Sequence, residues 1–387
     1  MNNLPQNATD APTMSTRKTK RVLLFRPTLG EGGADRVTIT LLRHFNRDVF
    51  EPTLVLVKKD GALMSDVPDD VRVIDLGVSR LRFSWLRLAS VLRQEKPNIL
   101  LSTSSGGNVI ASLAHAFVPD PDRRLILSER STFSEVRRER RPSWLPVVAV
   151  TRTLYRRASK INAVSEGVAR DLMDSLKLPA GLVTAIHNPI VDQELYDLSM
   201  ESVDHPWLNG EVPVILAVGR LVPQKDYPLL LRAFSSVRRK RRARLIVLGE
   251  GEQRRELERL AARLGIRQDV DLPGFIKNPF PFMRQCSVYV LSSRFEGLPG
   301  ALIQAMACGA PAVATNCPYG PSEIIEPGKS GILVPVGDEK QLASALDRLL
   351  DDQDLRNALS EAGRRATAAF DVPSMIRRYE SVLLNET

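Results

Sequence analysis

Short apolar, β-branched runs alternate with amphipathic stretches along almost the whole chain. The runs predict thirteen strands, at 21–25, 53–57, 71–75, 99–103, 125–129, 160–164 and 183–187, then 214–219, 245–249, 270–272, 287–291, 312–315 and 331–334. Between them, 34–45, 85–94, 229–240 and 252–264 repeat apolar positions with the helical period. Strand and helix in strict alternation mean parallel sheets with helices on both faces. Thirteen strands exceed one sheet of this kind. The chain punctuates once, at a stretch with three prolines, many acids and no sustained period that opens at Asn188. That divides it into a polar tail (1–19), a doubly wound unit (20–187), a linker (188–212), a second doubly wound unit (213–370) and a last helix within 371–387. Two such sheets facing one another form a cleft walled by both sets of strand ends, where ligands of open parallel sheets sit.

Composition narrows the class. The 387 residues suit two domains, 43% apolar and 26% charged residues suit a globular protein, and no apolar run approaches the roughly 20 residues of a membrane span. The N-terminus lacks the apolar core of a secretory signal. Cys286, Cys308 and Cys317 form no close pair, which fits a reducing cytoplasm, and the four histidines are too scattered for a metal cluster. A net charge of +9 favours an anionic partner: nucleic acid, an acidic membrane face or a phosphorylated ligand.

Candidate chemistry lies just after strands. Gly30, Gly32 and Gly33 follow the first strand and precede a helix, where free amides suit a phosphate; a plain tight turn explains them equally well. Asp35 stands where a dinucleotide fingerprint needs its third glycine, and Gly249-Glu250-Gly251 fails the same way at Arg254. No P-loop occurs. After VILAVG come Arg220 and Lys225, two cations within six residues; either alone reads as a solvated turn, while the pair suits a diphosphate and the charge developing on it as it departs. Glu296 follows SVYVLSS, and Gly297-Leu298-Pro299-Gly300 opens a helix whose amides face an anion or a sugar. Gln304 lies two turns beyond Glu296 on the same helical face.

With GGADRV in the first half and AVGRLVPQKDYPLLLRAF, VLGEGEQRREL and FEGLPGALIQAMACGAPAVAT in the second, the chain resembles the retaining glycosyltransferases of family 4, of GT-B architecture, over about residues 20–370. The resemblance implies a nucleotide-sugar donor held mainly by the C-terminal domain and an acceptor held mainly by the N-terminal one. It places Arg220 and Lys225 on the donor diphosphate and Glu296 on hydroxyls of the transferred sugar. Gly297–Gly300 become backbone donors, and Gly33, with Gly32, closes on the phosphate. Gln304 replaces the second acid of the family's E-x7-E motif, which grips ribose; an amide can donate and accept there too. The reaction so implied retains anomeric configuration, uses no metal or other cofactor, and takes a hexose or N-acetylhexosamine from a UDP-linked donor.

LSERSTF (127–133) and NCPYGPSEII (316–325) resemble members that build bacterial cell-surface glycans on polyprenyl-diphosphate-linked acceptors, working at the inner face of the cytoplasmic membrane. That puts Asn108, His115, Glu129 and Arg130 on the acceptor side. His115 also reads as an ordinary helix histidine, and Glu129 with Arg130 as a mutual or helix-dipole pair. Asp120-Pro121-Asp122, the one D-x-D, reads as a turn. Arg137–Arg141 before Trp144 and Tyr155 suits either an anionic membrane or a solvated helix edge. Arg238–Arg244 suits a helix end or, without interleaved aromatics, a weak nucleic-acid patch. A nucleotide-sugar epimerase and a noncatalytic basic scaffold are the competing readings.

Overall fold

The structure, a computed structural model, describes residues 19–30, 32–139 and 145–386. The first unit is a seven-stranded parallel sheet: β1 (Lys20–Arg26), β2 (Phe50–Leu56), β3 (Arg72–Asp75), β4 (Ile99–Ser102), β5 (Arg124–Glu129), β6 (Lys160–Ala163) and β7 (Val183–Ala185). The second has six: β8 (Val214–Val218), β9 (Arg244–Leu248), β10 (Val270–Gly274), β11 (Val288–Leu291), β12 (Ala312–Thr315) and β13 (Ile332–Val334). Their orders are β3-β2-β1-β4-β5-β6-β7 and β10-β9-β8-β11-β12-β13. All thirteen expected strands are present, because a strand buried on both faces reads as an unbroken apolar run.

Both sheets reverse their winding, between β1 and β4 and between β8 and β11. Loops leaving the two central strands diverge there and open a crevice. Two features of the chain were not legible in its periodicity. The linker contains a helix, Gln193–Ser199, whose N-cap Asp192 accepts from Leu195 N–H and whose Glu194 pairs with Arg43 of the first unit. Under two turns long, it is held by its cap and its contacts rather than by an amphipathic repeat. The last helix, Val372–Leu384, crosses back and buries Val372, Met375, Ile376, Tyr379, Val382 and Leu383 with Val22, Leu24 and Leu101 of the first sheet. The outgoing and returning passages run side by side: Ile190 and Val191 N–H donate to Phe370 O, and Val372 N–H donates to Val191 O.

The units meet at their strand-end faces. Ser165 Oγ, after β6, donates to Gly297 O at 2.8 Å. The Glu323 carboxylate takes the N–H groups of Glu166 and Gly167, both at 2.9 Å, at the start of helix Glu166–Leu176. His187 Nε2 lies 3.7 Å from the same carboxylate. Burial alone would raise the Glu323 carboxyl, but the His187 and backbone donors outweigh it and hold the group below the 4.5 of an ordinary glutamate. A depressed folded value stabilises fully above the ordinary one and is lost as pH falls beneath it. Glu323→Gln is therefore expected to lower Tm by a few degrees at pH 7, charged hydrogen bonds contributing about 1.5–3 kcal/mol, with the difference from wild type shrinking below pH 4.5. A pH series of thermal melts checks this; a constant difference across the series would contradict it.

Candidate active site

The loop after β8 crosses the switch point and is stapled to the loop after β11. Ser292 Oγ donates to Lys225 O at 2.7 Å, Gln224 Nε2 to Phe295 O at 2.9 Å, and Arg294 N–H to Gln224 O at 2.8 Å. Asp226, in the left-handed region at φ 46°, pairs with Arg294 at 3.0 Å and turns the chain into helix Tyr227–Arg238. The second glycine pair braces this loop. At Gly249 (φ 137°) a Cβ would stand 2.1 Å from Gly219 O, and at Gly251 one would stand 2.4 Å from Leu221 O. These glycines serve backbone packing, which is why they need no dinucleotide spacing.

The staples bring together side chains 71 positions apart: Lys225 Nζ lies 2.6 Å from Glu296 Oε1, which also accepts from Ser293 Oγ at 2.7 Å. Both members of the pair are largely enclosed, with 17% and 9% of their side chains exposed. Glu296 Oε2 makes no hydrogen bond among the described residues. Beside the pair, Cys317 has its thiol pushed up to about 12 by burial and by Glu296, against the pull of Lys225. Burial, then Glu296, likewise keeps the Tyr227 hydroxyl protonated; it donates to Gly219 O. Arg220 is exposed at the head of the loop, with no hydrogen bond or ion pair from its guanidinium among the described residues. Gly297 and Leu298 lead to Pro299, the N-cap of helix Gly300–Ala307. Gln304, one turn in from Gly300, is half-buried and its amide has no partner among the described residues. An anion here meets two cations and a helix N-terminus, and a hydroxyl donor meets one free carboxylate oxygen.

Across the junction, Gly32 is the N-cap and Gly33 the first residue of helix Gly33–His44. A Cβ on Gly33 would touch nothing within 4 Å. Asp35, the residue that spoils the dinucleotide fingerprint, accepts from Gly32 N–H at 3.1 Å and pairs with the buried Arg26 at 2.5 Å. Arg26 also donates to Ala34 O and to Thr103. Burial lowers that guanidinium to about 10, Asp35 opposing the drop. This ion pair is the underside of the glycine loop, and sequence reading missed it because its partners come from β1 and a helix nine residues on. The same helix reaches the second unit: Arg36 donates to Lys277 O at 2.7 Å.

The acceptor-side expectations divide. Arg130 lies at the junction: its carbonyl faces Gly297, where a Cβ would stand 2.2 Å away, and its Nη1 donates to Asn188 Oδ1, while Nε and Nη2 are buried without partners. Glu129 and Asn108 are sealed beneath the surface. Glu129 takes Ser105 Oγ, Tyr155 OH at 3.0 Å and Asn108 Nδ2 at 3.4 Å, and burial raises its carboxyl despite the Ser105 and Tyr155 bonds. Its contact with Arg130 is through the backbone, Arg130 N–H donating to Glu129 Oε1 at 3.2 Å, and the two side chains form no ion pair among the described residues, so the expected mutual pair is not a charge pair. His115 is displaced further. It sits in the last turn of helix Ser105–Phe117, which runs away from the strand ends for about 15 Å, and accepts from Arg123 Nε at 3.2 Å. Burial and then Arg123 lower it to about 4, so it is neutral and structural.

Two further stretches resolve. Asp122 N–H bonds Asp120 Oδ1, a closed turn before β5. In the basic run, Arg238 and Arg244 pair with Asp269, Lys240 with Asp347, and Arg241 with Asp347 and Asp351, which leaves little of its charge for a polyanion. Arg140, Arg141 and Trp144 lie outside the described residues. No helix is long and apolar enough to cross a membrane, among the described residues.

Comparison with known proteins agrees with this geometry. Residues 31–194 match the model of Glycosyltransferase Family 4, and residues 203–366 that of the Glycosyl transferases group 1. The chain is 28% identical over 364 residues, 92% of its length and 96% of the relative's, to N-acetylgalactosamine-N,N'-diacetylbacillosaminyl-diphospho-undecaprenol 4-alpha-N-acetylgalactosaminyltransferase of Campylobacter jejuni. It is 24% identical to the amylovoran biosynthesis glycosyltransferase AmsD of Erwinia amylovora, covering 94% of this chain and 99% of that one. Its fold matches HepE of Anabaena in complex with UDP-glucose at a TM-score of 0.81 and 20% identity, over 95% of this chain and all of the other. With both halves matched in order, two doubly wound sheets joined face to face and a cationic loop crossing the second switch point, the chain belongs to the GT-B glycosyltransferases.

Proposed function

We propose that the protein transfers a hexose or N-acetylhexosamine, with retention of anomeric configuration and without a metal, from a UDP-linked donor to a lipid-linked or cell-surface glycan acceptor at the inner face of the cytoplasmic membrane. The observation that carries this reading is the enclosed Lys225–Glu296 pair beside the unpaired Arg220 and the N-terminus of helix Gly300–Ala307. Arg220, Lys225 and the amides of Gly297–Gly300 hold the diphosphate; Glu296, through its free oxygen, holds hydroxyls of the sugar; Gln304 takes the ribose. Gly32 and Gly33 close on the phosphate from the other wall. The anomeric carbon–oxygen bond to the diphosphate breaks as the acceptor oxygen forms its own on the same face. The acceptor proton passes to the departing phosphate oxygen, and the two cations stabilise the charge on that oxygen. Lys225 carries a second duty: paired with Glu296, it fixes the carboxylate so that only one oxygen is spent internally.

The uracil assignment is supported by the UDP complexes of HepE, and the lipid-linked acceptor by the name of the Campylobacter relative. The epimerase reading wants several free carboxylates and histidines at the junction, whereas Glu323 there is taken up by His187 and two backbone N–H groups, and Glu129 and His115 are committed elsewhere. Thermal-shift binding against UDP-, GDP-, ADP- and TDP-sugars, with and without EDTA, tests the donor. A rise in Tm with UDP-sugars, unchanged by EDTA, is expected. A shift only with another base, or one abolished by EDTA, would overturn the base or the metal independence respectively.

A further inference from the structure

The N-terminal unit carries an acid-free strip beside its cleft rim. From Leu76 to Gln94 there are four arginines and no aspartate or glutamate. Arg80, Arg82, Arg87 and Arg93 are all exposed, and none forms an ion pair among the described residues. Apolar side chains lie among them. Phe83 and Leu86 are 57% and 53% exposed, three positions apart where the chain enters helix Trp85–Glu95, and Phe117 is 49% exposed at the end of the adjoining helix Ser105–Phe117. The guanidinium of Arg82 stacks on Phe83 at 4.7 Å and that of Arg93 on Phe117 at 5.2 Å, while Trp85 meets Phe117 edge to face. Val147 and Val150 are also exposed, on helix Leu145–Tyr155, which packs against Ser105–Phe117 as well. Five of the seven exposed large apolar side chains among the described residues thus lie on helix Ser105–Phe117 or on segments that pack against it.

In the Arg238–Arg244 run, by contrast, four of the six cations pair with nearby acids. Here the chain leaves its arginines unpaired and sets aromatic rings beside them. We infer that this strip is the protein's docking surface for an anionic lipid bilayer: Phe83, Leu86 and Phe117 enter the headgroup boundary and the arginines meet lipid phosphates. Its position has a purpose. Leu81 lies against Gly106 at the start of helix Ser105–Phe117, at the cleft end of the sheet, and Phe117 is at that helix's far end, so a bilayer docked along the strip reaches the acceptor side of the cleft at the Leu81 end. The inference deepens the lipid-linked reading of the acceptor, and it moves the membrane contact from Arg137–Trp144 to a surface that the sequence reading passed over.

The test is co-sedimentation of the full chain with vesicles of phosphatidylcholine alone and with 30 mol% phosphatidylglycerol, at low and high salt. Wild type is expected to bind the anionic vesicles and lose them in high salt. Phe83→Ser with Leu86→Ser, and separately Arg82→Gln with Arg87→Gln, are each expected to bind at least tenfold more weakly with Tm unchanged, and Arg138→Gln to bind as wild type does. Equal binding by wild type and both double variants would overturn the inference. So would failure of wild type to bind, or binding to single-stranded RNA that the double variants weaken while vesicles are ignored. Because vesicle binding needs neither donor nor turnover, failure here is distinguishable from failure of the proposed reaction, which the nucleotide-sugar shifts report.

Discussion

Lys225→Ala and Glu296→Ala are each expected to lower the rate of sugar transfer by about a thousandfold or more, with the protein still folded. The size follows from the chemistry: removing one preorganised group aimed at developing charge costs about 10²–10³ in rate, and Lys225 both faces the diphosphate and orients Glu296. The fold survives for a stated reason. Breaking a fully buried pair costs about 3–5 kcal/mol, but this one retains some exposure and Glu296 keeps its bond from Ser293. Because the pair acts as a unit, the double variant should be scarcely slower than either single one. Transfer assays with a nucleotide sugar, beside thermal melts, decide it. Turnover within tenfold of wild type in both single variants would remove the pair from the site.

The second large effect comes from a residue without a side chain. Gly297→Ala places a Cβ 2.2 Å from the Arg130 carbonyl, closer than any real contact, with Val164 Cγ2 at 3.3 Å on another side. Backbone is the obstacle, so no rotamer relieves it. Either the Gly297 loop moves, disturbing Glu296 next to it, or the two units part and the Ser165–Gly297 bond is lost. Transfer should fall at least a hundredfold in either case, and a larger radius of gyration in small-angle scattering distinguishes parted units from a displaced loop. Gly181→Ala, where a Cβ meets nothing within 4 Å, serves as the control. A Gly297→Ala enzyme as compact and as active as the control would show that this junction is not needed for catalysis.

The sequence was most legible where the physics is local. Buried parallel strands announce themselves as apolar runs, so β1 to β13 were all readable to within a few residues. Arg220, Lys225 and Glu296 stand out as candidates in the sequence because each lies within seven residues of a strand's carboxyl end, where such sheets bind. What was not readable is pairing across distance. Nothing local says that Lys225 meets Glu296, that Glu323 caps a helix 157 positions earlier, or that Asp35 answers Arg26 from below. His115 is the instructive miss: the period put it on a helix correctly, and its place ten residues into a helix that leaves the strand ends was enough to carry it away from the cleft. Glu129 looked like a strand-end ligand, but a neighbouring tyrosine, serine and asparagine had already claimed it.

The return of the last helix to the first sheet also sets an order of assembly. Six core side chains of the N-terminal unit, between Val372 and Leu383, are synthesised only after the whole second sheet. A growing chain therefore has both sheets' strands made while the first sheet's core, covered by helix Gly33–His44, still lacks those six side chains. The second unit is in effect an insertion within the first, and the enzyme cannot complete the half that was made first until the half that was made later has been traversed.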